Sequence, residues 1–403
     1  MRNITGPPVD GADFFGREEE LARLQRAVEA GNHVLLLGPR RVGKSSIVSE
    51  ISRLLRADGW VVVTLDVQQV ADEAAFLHEL LESIKASEID LPLLTQVEGM
   101  VTRFRQFFRG TTFKGGGIEI ELGDSPADWD TTAGSLRKLI PTLSGSNRRV
   151  LIAIDELPVF LSKLLAEPDG VERVRQILDW LRSVRQACGT SLPWILCGSI
   201  GLDSFVDRHG LAGTINELQP QTVGSFNTDT AIQCLQRLAD TGSYAFQLSE
   251  DLAREIIHRV GWPIPFYLQL MFHALAELPQ SQRSETYPSV DDIEAAYQSL
   301  LDPHQRVHFA HWDSRLGDLL DTQEQARTRL LLRHLSGLAE GSVFTTLFNV
   351  LAADYPQADT RALDRELRDL LDFLERDGYL MRSGDQFAFR SFLLRDYWKQ
   401  RFA

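Results

Sequence analysis

His33-Val34-Leu35-Leu36-Leu37-Gly38-Pro39-Arg40-Arg41-Val42-Gly43-Lys44-Ser45-Ser46 is the stretch that decides the fold. A continuous apolar run passing straight into glycine has the pattern of a strand buried on both faces. Gly38 to Ser45 fits G-x-x-x-x-G-K-[ST], and residues 45–55 read as a helix, so the motif lies in the strand-loop-helix context that its chemistry needs. Glycines let backbone N–H groups close around phosphates, Lys44 reaches the β and γ oxygens, Ser45 holds Mg²⁺, and the helix N-terminus favours an anion. The expected cofactors are therefore ATP and Mg²⁺. Gly38, Pro39, Arg40, Arg41, Val42, Gly43, Lys44, Ser45 and Ser46 are the expected phosphate neighbours, with Arg40 and Arg41 either adding charge or lying solvated.

Working outward, residues 17–30 have helical spacing and Trp60 to Leu65 is a second strand, which gives a β-α-β unit. Such alternation predicts the α/β class, with a mainly parallel sheet covered by helices. A third strand, Val150 to Ile154, delivers Asp155 and Glu156 at its carboxyl end, the edge where ligands of such sheets bind. Asp155 is assigned to Mg²⁺ with Ser45, and Glu156 to the general base that polarises the attacking water. Ser199 follows the strand Pro193 to Cys197, where a hydroxyl would touch the γ-phosphate or the water, or simply cap a turn. Lys44, Glu156 and Ser199 are thus the catalytic candidates. Helices are expected at 72–88, 95–108, 130–143 and 170–187, a strand or hairpin after Gly115-Gly116-Gly117, and the last strand at 215–218.

At 403 residues the chain suits two or three domains. We expect an ATPase core over 1–225 with an insertion near 95–125, an all-helical lid over 226–302, and a winged helix over 303–403. The last is read from helices near 322–338, 344–353 and 360–377 followed by short strands at 379–382 and 387–390. Apolar residues at 43% and charged residues at 24% are ordinary globular values. The net charge of −14 excludes a chain that binds nucleic acid by bulk charge. Residues 303–403 carry fourteen basic against fifteen acidic side chains, so nearly all the excess acid lies before them. Cys188, Cys197 and Cys234 have no metal-ligand spacing and read as reduced thiols. The opening residues lack the pattern of a signal peptide, and no run reaches the roughly 20 apolar residues that span a bilayer. The expectation is a cytoplasmic protein without membrane contact.

In this order the pieces resemble the AAA+/STAND branch of P-loop ATPases, specifically the archaeal-type ATPase family with a C-terminal winged helix, relatives of the origin-recognition ATPases. The resemblance is carried by Phe14-Phe15-Gly16-Arg17-Glu18-Glu19-Glu20-Leu21, the phosphate loop, Asp155-Glu156, Gly198-Ser199-Ile200-Gly201 and Gly261-Trp262-Pro263. It implies that Phe15, Gly16, Arg17 and Pro263 border the adenine. Two departures stand out. Leu211-Ala212-Gly213-Thr214 occupies the place where relatives offer an arginine before the last strand, with Arg208 out of register, and Ile264-Pro265 occupies that of a lid sensor arginine. Since an arginine finger contributes about 10³–10⁵ in rate, slow turnover is expected unless a partner or second subunit supplies one.

Two outputs remain open from the residues. One is a regulatory switch acting on a partner protein or in a homo-oligomer. The other is DNA binding through 303–403, using Arg361, Arg365, Arg368, Arg376, Arg382 and Arg390, although the helix bearing the first four also carries Asp364, Glu366, Asp369, Asp372 and Glu375.

Overall fold

A computed structural model of the chain describes residues 1–87, 113–115, 118–120, 129–145, 148–199, 201–241, 247–278, 288–305 and 307–402. Helix α1 (Glu18–Glu29) leads into β1 (Val34–Leu37), α2 (Lys44–Ala57), β2 (Val61–Asp66) and α3 (Glu73–Ala86). Strands β3 (Phe113–Gly115) and β4 (Ile118–Ile120) precede α4 (Trp129–Leu139), β5 (Val150–Asp155), α5 (Leu157–Leu165), α6 (Gly170–Cys188), β6 (Trp194–Cys197), α7 (Leu202–Arg208) and β7 (Gln219–Thr222). The central sheet runs β2-β5-β6-β1-β7, and every pairing in it is parallel.

Strand periodicity sorts the side chains between two cores. Val34, Leu36, Val62 and Ala153 face α1 and α2, whereas Leu35, Val63, Ile152 and Ile154 face α3 to α6. The first core does not stop at the sheet. It continues through α8 (Thr228–Thr241), α9 (Glu250–Val260), α10 (Pro265–Glu277) and α11 (Val290–Leu301) into α12 (Val307–Leu319), α13 (Thr322–Ser336), β8 (Ser342–Val343), α14 (Phe344–Asp354), α15 (Thr360–Asp377), β9 (Leu380–Ser383), β10 (Gln386–Phe389) and α16 (Phe392–Phe402). One apolar mass therefore joins the α2 face of the sheet to the C-terminal elements, which brings those elements beside the phosphate loop.

The α/β core, the helical run after 226 and the three helices with a hairpin after 320 follow the sequence expectation. The last strand does not: it is Gln219–Thr222, not 215–218. Ile215 to Leu218 follow a 3₁₀ turn at Ala212–Thr214, and Leu218 is buried as an apolar plug. The strand itself is an edge, largely exposed and without apolar alternation, where Pro220 can sit because only β1 pairs with it. The expected hairpin near 115 forms a separate antiparallel pair instead of joining the central sheet. The expected helix at 95–108 lies outside the described residues. Helices α5, α7 and α12 and the two-residue β8 were not foreseen; β8 adds a third strand to the hairpin in the order β8-β10-β9.

Candidate nucleotide site

The phosphate loop takes its shape from residues that other side chains would forbid. Gly38 has φ 148, and a Cβ there would lie 2.3 Å from the carbonyl oxygen of Val223; Gly43 has φ 97 and caps α2. Arg41 also adopts positive φ, 68, with its guanidinium 4.5 Å from the centre of the Phe266 ring on α10. Lys44 is buried, and its ammonium donates to the carbonyl oxygens of Gly38 at 2.6 Å and Pro39 at 2.8 Å. Burial pushes its pKa down to about 8, with nearby Arg315 lowering it further and Cys197, Glu156 and Asp155 opposing.

A cavity of about 320 Å³ opens in front of the loop. Arg40, Arg41, Gly43, Lys44, Ser45 and Ser46 line it from the loop side, and Asp155, Glu156 and Ser199 from the sheet edge. Gly38, Pro39 and Val42 complete the loop behind this lining. Asp155 Oδ1 accepts from the Cys197 thiol at 2.9 Å and from the Glu156 N–H at 2.9 Å, which fixes the carboxylate at the end of β5. Burial, then the neighbouring Asp155, keeps Cys197 protonated by raising its pKa well above the ordinary range, so it acts as a donor and not as a nucleophile. Glu156 sits at φ 57, and its Oε2 accepts from both the Ser199 N–H at 2.8 Å and the Ser199 hydroxyl at 2.7 Å. The sequence-predicted catalytic and phosphate residues thus converge on one cavity.

The four residues assigned to the adenine do not line it. Arg17 is a brace beneath the loop: its guanidinium donates to the Val42 oxygen at 3.0 Å and the Gly224 oxygen at 2.8 Å, pairs with Glu20, and lies over Phe226. Gly16 makes room for Thr230, whose methyl would stand 2.6 Å from a Cβ. Phe15 packs against the core, and the Pro263 carbonyl accepts from the Phe226 N–H at 3.0 Å. The cavity wall opposite the loop comes instead from Ile4 and Gly6 to Val9 together with Pro265, Phe266 and Gln269. This N-terminal strap is tied to α2 by Val9 N–H to Ser46 at 3.1 Å and Gly11 N–H to Glu50 at 2.7 Å.

Sequence reasoning also missed Asp66, which ends β2, faces Asp155 across the ladder and lines the cavity. Its signal was available, because VVVTLD repeats the apolar-strand-then-acid pattern of VLIAID. Arg315 on α12 carried no such signal. It is buried, chelates Asp377 through two contacts at 2.5 Å, and donates to the Ser199 carbonyl oxygen. Arg208 does not line the cavity and is bonded to Glu324 and the Leu319 oxygen.

A glycine-shaped loop with a buried lysine at the mouth of a helix, facing an acidic pair at the ends of parallel strands, defines a nucleotide-binding P-loop fold. Residues 13–187 match the family described as AAA ATPase domain, so this stretch of the chain is similar to the AAA-type P-loop ATPases, as its motifs indicated. The Walker-type ATPase of Pyrococcus abyssi shares the fold over 99% of this chain and 100% of its own, with 17% identity and a TM-score of 0.64. The ORC2 protein of Aeropyrum pernix, solved as ADPNP-ADP complexes, covers 99% of this chain and 95% of its own, with 13% identity and a TM-score of 0.56. No curated protein matches the chain. Among the described residues no helix is long and apolar enough to cross a membrane.

Proposed function

We propose that this AAA-type ATPase is a slowly hydrolysing, Mg-ATP-dependent regulatory switch whose C-terminal region answers to the state of the nucleotide and acts on a partner protein. The organisation assumed is the core over 1–225, the helical lid over 226–302 and a winged helix over 303–403, in a cytoplasmic setting. The observation that carries the reading is the seating of the last region on the nucleotide site. Gly378, just after α15, lies so close to the loop that a Cβ would stand 2.7 Å from Pro39, and Arg315 reaches Ser199.

In this reading Ser45 and Asp155 hold Mg²⁺. Both line the phosphate cavity, and their hydroxyl and carboxylate oxygens are the hard donors that Mg²⁺ takes when it keeps several waters and bridges phosphates. The metal would neutralise charge on the phosphates. Lys44 exchanges the loop carbonyls for phosphate oxygens, and Arg40 adds a second positive charge from the cavity wall. Glu156 accepts a proton from the attacking water at Oε1 or Oε2, and Ser199 orients either that water or the terminal phosphate. The Gln269 and Phe266 side of the cavity, with the strap at Gly6 to Val9, is the place for the base.

The DNA-binding alternative has less support. Arg368 pairs with Asp364 and lies over Phe344, Arg376 pairs with Asp372 and bonds Ser204, and Arg390 is bonded to the oxygens of Leu380 and Glu375. Phosphate contacts would have to displace these bonds.

The test compares hydrogen exchange of residues 303–403 in the ADP state and in Glu156→Gln loaded with ATP. That substitution should cut hydrolysis by about 10²–10⁴ while retaining the nucleotide. Faster exchange at the α15 end and α12 in the ATP state supports the switch; identical exchange refutes it. A duplex-DNA titration at two salt concentrations that gave tight, steeply salt-dependent binding would move the output to DNA.

A further inference from the structure

Four groups form a continuous chain from the C-terminal region to the hydrolytic residue. Asp377, the last residue of α15, grips the Arg315 guanidinium through both carboxylate oxygens; Arg315 holds the Ser199 carbonyl; Ser199 donates twice to Glu156. Both members of the ion pair are buried, with side-chain exposures of 4% and 6%. A two-pronged arginine–carboxylate contact fixes direction as well as distance, so the orientation of the Ser199 peptide follows the seat of α15. Buried pairs are weak evidence for stability, since apolar replacements of similar volume are often neutral, and their best-attested use is to specify one arrangement.

The Glu156 end carries a sign of imposed geometry. A left-handed backbone at a glutamate costs about 1–3 kcal/mol and persists only where its surroundings determine it. Here both Ser199 donors fall on one carboxylate oxygen, so the carboxylate is turned to its neighbouring loop at the end of β6. A terminal phosphate at the same edge of the sheet needs the Ser199 hydroxyl too, and the two acceptors compete for it.

We infer that Arg315 and Asp377 are positioning residues that act as a brake: with the C-terminal region seated, they hold Ser199 where it keeps Glu156 from the attacking water. The inference rests on the switch reading above and names the contact through which that switch touches hydrolysis. Loss of the seat frees the Ser199 peptide, the hydroxyl passes to phosphate, and Glu156 turns to the water.

The test uses the full chain with Arg315→Met and Asp377→Leu together, which removes the pair without leaving a lone buried charge. Steady-state hydrolysis should show kcat raised roughly tenfold, equivalent to about 1.4 kcal/mol off the barrier, with KM for ATP within about twofold. Hydrogen exchange without nucleotide should show the Ser199 amide, which is bonded to Glu156, opening faster than in the parent, a change that a purely structural pair would not confine to that amide. Arg315→Lys keeps the charge but loses the fork and should give a smaller rise of the same sign. If the double variant does not fold, the lysine variant decides by the same two measurements. An unchanged or lowered kcat in folded protein overturns the brake, as does an unaltered Ser199 amide. These outcomes are separable from failure of the switch, which is read in residues 303–403 from the ADP state against Glu156→Gln loaded with ATP, with Arg315 and Asp377 intact.

Discussion

Lys44 should take up a proton when nucleotide binds above neutral pH. Its ammonium is buried against loop carbonyls, and burial holds its pKa at about 8. A bound phosphate supplies the opposite charge and restores the charged form, returning the pKa to at least the usual lysine value near 10.4. At pH 7 nearly all sites are already charged, so uptake is about 0.1 proton; at pH 8 it is about 0.5, and at pH 9 about 0.9. Apparent affinity should fall about fivefold between pH 8 and 9, because only the charged site binds. The phosphate's own last proton, with a pKa near 6, is essentially gone at pH 8 and 9 and does not mask the effect there. The fold is not threatened by the alkaline condition. In the window from about 8 to 10.4 the unfolded chain binds more protons at this site than the folded one, so stability at Lys44 rises with pH. Calorimetric titration of ATP in two buffers of different ionisation heat reads the uptake directly, with Lys44→Arg as a variant that stays charged and shows none. Uptake below about 0.2 proton at pH 9 would refute the claim that the lysine waits desolvated.

Two further expectations follow from the seat of the C-terminal region. Gly378→Ala pays both for left-handed backbone and for contact with Pro39 and Trp262, whereas Gly384→Ala, at φ 60 with open space around it, pays only the first. Denaturant midpoints should therefore show a loss of about 1–2 kcal/mol for Gly384→Ala and a larger one for Gly378→Ala, and equal losses would mean that the contact carries no energy. His311 on α12 is held neutral, its pKa brought down to about 3 by burial and then by Arg40, Arg41 and Arg315. The unfolded chain takes that proton below about 6.5, so stability is lost as pH falls; between pH 7 and 5 His311 should account for about 2 kcal/mol, which His311→Gln abolishes from the pH slope of chemical unfolding.

What was legible in the sequence is what a local pattern can carry. The loop, the two carboxylates and Ser199 sit at the ends of strands whose apolar runs announce them, and parallel register then brings Asp155 and Cys197 together without further information. The edge strand was misplaced because its sequence, Gln-Pro-Gln-Thr, has no apolar face to announce; its position comes from pairing with β1 alone. The four residues expected beside the adenine lie outside the cavity lining for a related reason. Gly16 and Arg17 are needed beside the loop, yet their work is to admit Thr230 and to bond the Val42 and Gly224 oxygens, and a motif cannot tell a brace from a lining. Arg315 lies 116 positions from Ser199 on a helix whose pattern marks only a buried face, so the meeting of the two exists only in the folded chain.

The electrostatics of the mouth give that meeting a consequence. In a chain of net charge −14, Lys44, Arg40 and Arg41 line one cavity, and the buried Arg315 lies near enough to act on Arg40 and Lys44. Burial is the first cause of lowering at each group, and the neighbouring cations act in the same direction: Arg315 and Arg41 at Arg40, Arg315 at Lys44, and Arg40, Arg41 and Arg315 at His311. Asp377 offsets part of this positive charge from the C-terminal side, and a polyphosphate would offset it from the cavity side. The two sources of negative charge act on the same cations, so each weakens the need for the other. Phosphate charge in the cavity lowers the electrostatic gain of keeping Asp377 seated, and a third phosphate lowers it more than two do. In the switch proposed above, discrimination between ATP and ADP by the C-terminal region would require no long-range path, only that one carboxylate and one phosphate act on the same group of cations.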